Sequence, residues 1–172
     1  MVLILVLRGQ VDLAFSCYSE LVGRHGLSRG LVEVLEEICA TGALRYRSWQ
    51  LPFDFVRLLG RLRALPASIR VVSFDQAARD NRLIPSLMHC LDLDPEIWGP
   101  GELANKSTPF WDLVRAHHRN HFGVLTRSAK ILLCSAESVC PSVPRFTAPE
   151  VGKLSRAFHA GNALVERDWG VQ

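Results

Sequence analysis

The chain has 172 residues, 48% of them hydrophobic and 22% charged, with a formal net charge of +3 and an isoelectric point near 8.7. That length and apolar content suit one globular domain that buries about 70% of its unfolded surface. Lys and Arg are scattered rather than gathered in a block, so charge gives no sign of nucleic-acid binding, while a positive balance suits a phosphorylated or sulfated ligand.

Residues Val2 to Leu7 are continuously apolar, which predicts a parallel strand covered on both faces. The run is far short of the roughly twenty residues of a membrane-spanning helix and lacks the cationic start of a secretory signal. Arg8 closes it. Val11, Ala14, Phe15, Tyr18 and Val22 then recur at helical spacing, so a helix begins almost at once, with Ser16 in its second turn. Ligands of open α/β sheets bind outside the carboxyl ends of the strands, where helix-start N–H groups favour an anion. Arg8 at that turn predicts a phosphate contact, and Ser16, if it faces the strand end, adds a hydroxyl donor. An unpaired edge on so apolar a strand also invites pairing with another chain, so self-association through it is expected.

Further along, Ser28 is expected to cap a helix through Leu31, Val34, Leu35 and Ile38 that stops at Gly42. Arg45, Tyr46, Trp49, Phe53, Val56, Leu59 and Leu62 mix aromatic and basic residues at roughly helical spacing and read as core packing rather than a base-stacking surface. Ile69 to Phe74 is β-branched and apolar, a second strand, followed by Asp75 as a helix cap or partner of a basic neighbour. A helix over Leu83 to Leu91 comes next.

Pro100-Gly101 breaks the chain, and Asn105-Lys106-Ser107-Thr108 forms a polar linker. Helices from Pro109 to Asn120 and from about Leu125 to Ala136 carry apolar stripes suited to covering a sheet. Pro141 and Pro144 mark a loop, and Thr147 caps a last helix running to Trp169. Cys17, Cys39, Cys90, Cys134 and Cys140, odd in number and widely spaced, read as reduced core thiols of a cytoplasmic protein. His117, His118 and His121 read as surface residues, and no metal site is expected.

The pattern R-x-x-V-x-x-A-F-S-x-Y, carried by Arg8, Val11, Ala14, Phe15, Ser16 and Tyr18, resembles the 3′-phosphate-binding segment of the sulfotransferases. These enzymes use 3′-phosphoadenylyl sulfate as donor. In that family an arginine at a strand end and a serine eight residues later bind the 3′-phosphate, so the resemblance implies those roles for Arg8 and Ser16. FDQ…LMHCLDLD and the ending RFTAPEVGKLSRAFHAGNALVERDW also resemble family segments, more loosely.

The resemblance implies an α/β fold: a helix-rich, partial, P-loop-like three-layer domain with a small parallel sheet, forming one unit over residues 1–172. It implies 3′-phosphoadenylyl sulfate or adenosine 3′,5′-bisphosphate as cofactor and a hydroxyl-bearing acceptor, with no nucleic-acid partner and no membrane span. The family's 5′-phosphosulfate loop lies upstream of this segment, and no G-x-x-x-x-G-K-[ST] run occurs here. The expectation is therefore a chain that keeps the 3′-phosphate half of a sulfotransferase without a catalytic residue of its own. The alternative is a non-catalytic remnant or protein-interaction module of the same fold.

Overall fold

A computed structural model describes residues 1–79, 82–94, 109–124, 126–139 and 146–169. In chain order the elements are β1 (Val2–Leu7), α1 (Gln10–His25), α2 (Leu31–Thr41), β2 (Ala43–Tyr46), β3 (Trp49–Pro52), α3 (Phe55–Leu62), β4 (Ser68–Ser73), α4 (Phe74–Arg79), α5 (Leu83–Cys90), α6 (Phe110–Phe122), α7 (Arg127–Val139) and α8 (Ala148–Trp169). The Pro100-Gly101 break, the linker at Asn105, Lys106, Ser107 and Thr108, the loop at Pro141 and Pro144, and Cys140 lie outside the described residues.

The two apolar runs pair as expected. β1 and β4 form a parallel sheet in register from Val2 against Ser68 to Leu7 against Ser73. Leu7 packs with Phe55 and Leu59 of α3 and Val165 of α8, and Leu5, Ile69 and Val71 join that cluster from the same side of the sheet. α4 and α5 contact β4 as well. Arg70 ties the end of α5 to the strand: it donates to the Cys90 carbonyl at 2.7 Å and to both carboxylate oxygens of Asp92 at 3.1 Å. The result is a helix-rich α/β arrangement around a small parallel sheet.

A larger core gathers Ala14, Phe15, Tyr18, Leu21 and Val22 of α1, Val34, Leu35 and Ile38 of α2, and Leu154 and Phe158 of α8. Leu113 and Ala116 bring α6 into the same core. α6 thus lies against α1, and α7 against α6, instead of covering the sheet as their stripes suggested. An apolar stripe specifies that a helix face is covered, and a neighbouring helix covers it as well as a sheet does.

Two local expectations are corrected. α2 starts at Gly30 with no side-chain cap, so Ser28 does not cap it. Residues around Tyr46 and Trp49 form no helix: β2 and β3 make an antiparallel hairpin with Leu44 opposite Leu51 and Tyr46 opposite Trp49. Each strand is four residues long, too short for a period of two to stand out from helical spacing. The hairpin closes where the Gly42 carbonyl accepts the N–H groups of Phe53 and Asp54 at 2.8 and 3.0 Å. Gly42 sits at φ +69, and a Cβ there would meet Asp54 Cβ at 2.9 Å, so the position requires glycine.

The end helices follow their signals. α1 stops at Gly26 with φ 77, where the N–H groups of Gly26 and Leu27 both return to the Leu21 carbonyl, that of Leu27 at 2.9 Å, a left-handed helix end that glycine favours. Before α8, Glu150 accepts from the Thr147 N–H at 2.7 Å and its hydroxyl at 2.9 Å, a capping-box contact. Cys17, Cys39 and Cys90 are half-buried, and burial pushes the Cys17 and Cys39 thiols up. Cys134 is exposed on α7 and is not a core thiol.

Candidate functional site

Because β1 and β4 are parallel and in register, Leu7 and Ser73 end side by side and their following residues open onto one place. Only Arg8 and Gly9 separate β1 from α1. Gly9 is the N-cap of α1 and can supply no side-chain acceptor. Asp75, just past β4, fills that role from across the sheet: its Oδ2 accepts the Gly9 N–H at 2.5 Å. A carboxylate there complements the positive end of the helix. The two sequence expectations for Asp75 merge, since it caps a helix, though not its own, and faces a basic neighbour.

That neighbour is Arg8. Its Nε lies 3.5 Å from Asp75 Oδ1, an ion pair with both side chains about one-third exposed. The guanidinium sits over the Phe74 ring, 5.2 Å from its centre. Nε is itself buried and donates no hydrogen bond. The 3.5 Å contact is longer than a hydrogen bond, so Asp75 neutralises the charge of Arg8 while the Nε–H keeps no hydrogen-bond acceptor.

Arg8 and Asp75 line a cavity of about 150 Å³ together with Gln10, Ser73, Asn162 and Glu166. Leu7, Phe55 and Val165 give it an apolar wall. Its volume is below the roughly 300 Å³ of small-molecule pockets, which suits an anionic group rather than a whole nucleotide. Two carboxylates share the wall with one guanidinium, so an incoming anion must take over Arg8 from Asp75.

Gln10 and Asn162 fix the back of the cavity. Gln10 Nε2 donates to Asn162 Oδ1 at 2.7 Å, and Asn162 Nδ2 returns to Gln10 Oε1 at 3.0 Å. Gln10, 6% exposed, also reaches the Phe53 carbonyl at 3.4 Å. This reciprocal amide pair locks the start of α1 to α8. The sequence places Asn162 in the last helix without giving it a partner, and Gln10 carries one signal only, a polar residue directly after a helix-starting glycine.

Ser16 stands elsewhere. It is exposed, on the water-facing stripe of α1 with Asp12 and Glu20 at i±4, and is not part of the cavity wall. The structure brings Arg8 together with Phe74 and Asp75 and leaves the Ser16 hydroxyl open to solvent. Cys17, next along α1, is near enough for Arg8 to pull its pKa down, against the larger upward push of burial.

Among the described residues no group of His, Cys, Asp and Glu side chains is arranged to hold a metal. His117 instead contacts the Arg29 carbonyl at 3.1 Å and stacks on His121. No protein-family model matches this chain, and neither does any curated protein or solved structure.

Proposed function

We propose that the mouth of β1 and β4 binds the 3′-phosphate of 3′-phosphoadenylyl sulfate or adenosine 3′,5′-bisphosphate, as in the sulfotransferases that the sequence resembles. On this proposal the chain is the 3′-phosphate half of a P-loop-like three-layer domain whose reaction transfers a sulfuryl group to a hydroxyl acceptor. The observation that carries it is the buried Nε of Arg8, ion-paired with Asp75 but donating no hydrogen bond, at the carboxyl ends of two parallel strands.

The chemistry follows from the neighbours. A phosphate oxygen meeting Arg8 gains a charge-assisted hydrogen bond and displaces the longer contact to Asp75. The start of α1 adds a favourable field for the same charge. A phosphate held in the cavity is gripped by Arg8, and Ser16, exposed and off the cavity wall, is not among its contacts. The cavity takes the phosphate, and the rest of the nucleotide lies outside it. Sulfuryl transfer also needs a base for the acceptor hydroxyl and groups that stabilise the leaving phosphate, and no residue of this chain is assigned to either role.

Calorimetry with adenosine 3′,5′-bisphosphate and adenosine 5′-monophosphate tests the proposal, because the two differ by the 3′-phosphate alone. The bisphosphate binds more tightly if the site reads that phosphate; equal affinities contradict it.

A second function is favoured by the sheet. Among the described residues β1 pairs only with β4, leaving its other edge open, and Val2 and Val6 are each 43% exposed. An open, wholly apolar strand offers itself to another chain. Sedimentation that shows concentration-dependent association, abolished by Ile4→Pro, supports this function; a strictly monomeric chain excludes it.

A further inference from the structure

Residues 113–136 contain no Asp or Glu, while Arg115, Arg119, Arg127 and Lys130 all fall within them. They form most of α6, the turn at Gly123 and most of α7. Gly123, with φ +76, ends α6.

α7 is loosely seated. Ala129, Leu133 and Glu137, at i, i+4 and i+8, are its half-buried side chains, and none of its described side chains is fully buried. Its outer faces carry apolar groups into water: Ile131 is 58% exposed and Leu132 is 70% exposed. At the turn, Phe122 and Val124 are 64% and 66% exposed. Arg127 lies one helical turn before Ile131, on the same face. Arg119, Val124 and Lys130 line a single groove between the helices, so the apolar turn and the cations are contiguous.

The acids at the margins of this tip are already engaged. Arg115 donates to Asp112 at 2.9 Å and to Glu137. Among the described residues Arg119, Arg127 and Lys130 make no ion pair. The end of the α6–α7 hairpin is thus an apolar cap ringed by uncompensated positive charge.

We propose that this tip docks the chain on an anionic lipid surface. Aliphatic and aromatic side chains sink among the headgroups while Arg and Lys meet lipid phosphates and carboxylates, the division of labour of an interfacial anchor. The chain lies on the bilayer and does not cross it: among the described residues no helix is long and apolar enough to span. Single-stranded RNA, the other polyanion that such charge attracts, is bound through stacking aromatics; here the Phe122 ring is packed against His118 and His121, and three exposed aliphatic side chains beside it give a base nothing to stack on.

Flotation of the full chain with two kinds of vesicle tests the proposal: phosphatidylcholine alone, and phosphatidylcholine mixed with phosphatidylserine. The protein floats with the mixed vesicles, not with phosphatidylcholine alone, and is released as salt rises. Lys130→Ala weakens binding about fivefold, and Ile131→Ser with Leu132→Ser removes it. These side chains are exposed, so thermal melts of the variants match the parent and separate lost docking from lost folding. Absence of flotation with mixed vesicles overturns the proposal. So does flotation that survives the loss of Ile131 and Leu132, or a dimer in sedimentation that Leu132→Ser dissolves. Retention on single-stranded RNA that is indifferent to Leu132→Ser also overturns it, by assigning the charge to nucleic acid.

Discussion

Asp75 accepts the Gly9 amide at 2.5 Å across 66 positions of sequence. The contact exists because β1 and β4 run parallel and end together, and it puts a fixed negative charge where the helix start and Arg8 both favour one. Asp75 therefore stabilises the site and competes with any anion that enters it.

Asp75→Asn separates these roles, since an amide oxygen still accepts from Gly9 but carries no charge. Partly exposed ion pairs of this kind are worth about 0.2–1 kcal/mol, so the variant binds adenosine 3′,5′-bisphosphate more tightly by calorimetry, by up to about fivefold. Weaker binding than the parent assigns Asp75 to orienting Arg8 for the ligand instead.

Asn162→Leu breaks the reciprocal amide pair and leaves the buried Gln10 with only the 3.4 Å contact to Phe53. Loss of a partner to a buried polar group costs about 1–3 kcal/mol. The urea midpoint falls accordingly, and Gln10→Leu with Asn162→Leu together recovers part of the loss, because no polar group is then stranded.

What the sequence disclosed depended on the range of the signal. β1 and β4 were legible because short apolar or β-branched runs bounded by Arg8 and Asp75 have few other outcomes, and α8 was legible from Thr147 and Glu150 at capping distance. The β2–β3 hairpin was hidden because each strand ends before its alternation can declare itself. The partners Gly9 and Asp75, and Gln10 and Asn162, could not be read from local pattern: the β1–β4 register creates the first, and the packing of α8 on α1 creates the second. The side of α1 that bears Ser16 was readable in principle, since Ala14, Phe15, Tyr18 and Val22 mark the core face and Ser16 falls opposite them.

Tyr18 reports on the packing beneath the site. Burial, with a smaller contribution from the charge of Glu33, pushes its phenol up to about 12 from the ordinary 10.0 of a tyrosine. A raised folded-state pKa means that the native protein holds its proton while the unfolded chain releases it. The resulting stability is complete below pH 10.0 and is lost as pH rises from there towards 12. In a Tyr46→Phe background, where Tyr18 is the remaining tyrosine, absorbance titration shows phenolate forming near pH 12, with denaturant stability declining over the same window. Ionisation at pH 10.0 contradicts the buried placement.

Arg8 is the group proposed to grip phosphate. The direct measurement is the calorimetric affinity of Arg8→Ala for adenosine 3′,5′-bisphosphate beside that of the parent chain. Removing one charge-assisted contact costs about 1.5–3 kcal/mol, roughly tenfold to 150-fold in affinity, and the account predicts a loss of that size. An affinity unchanged in Arg8→Ala contradicts it.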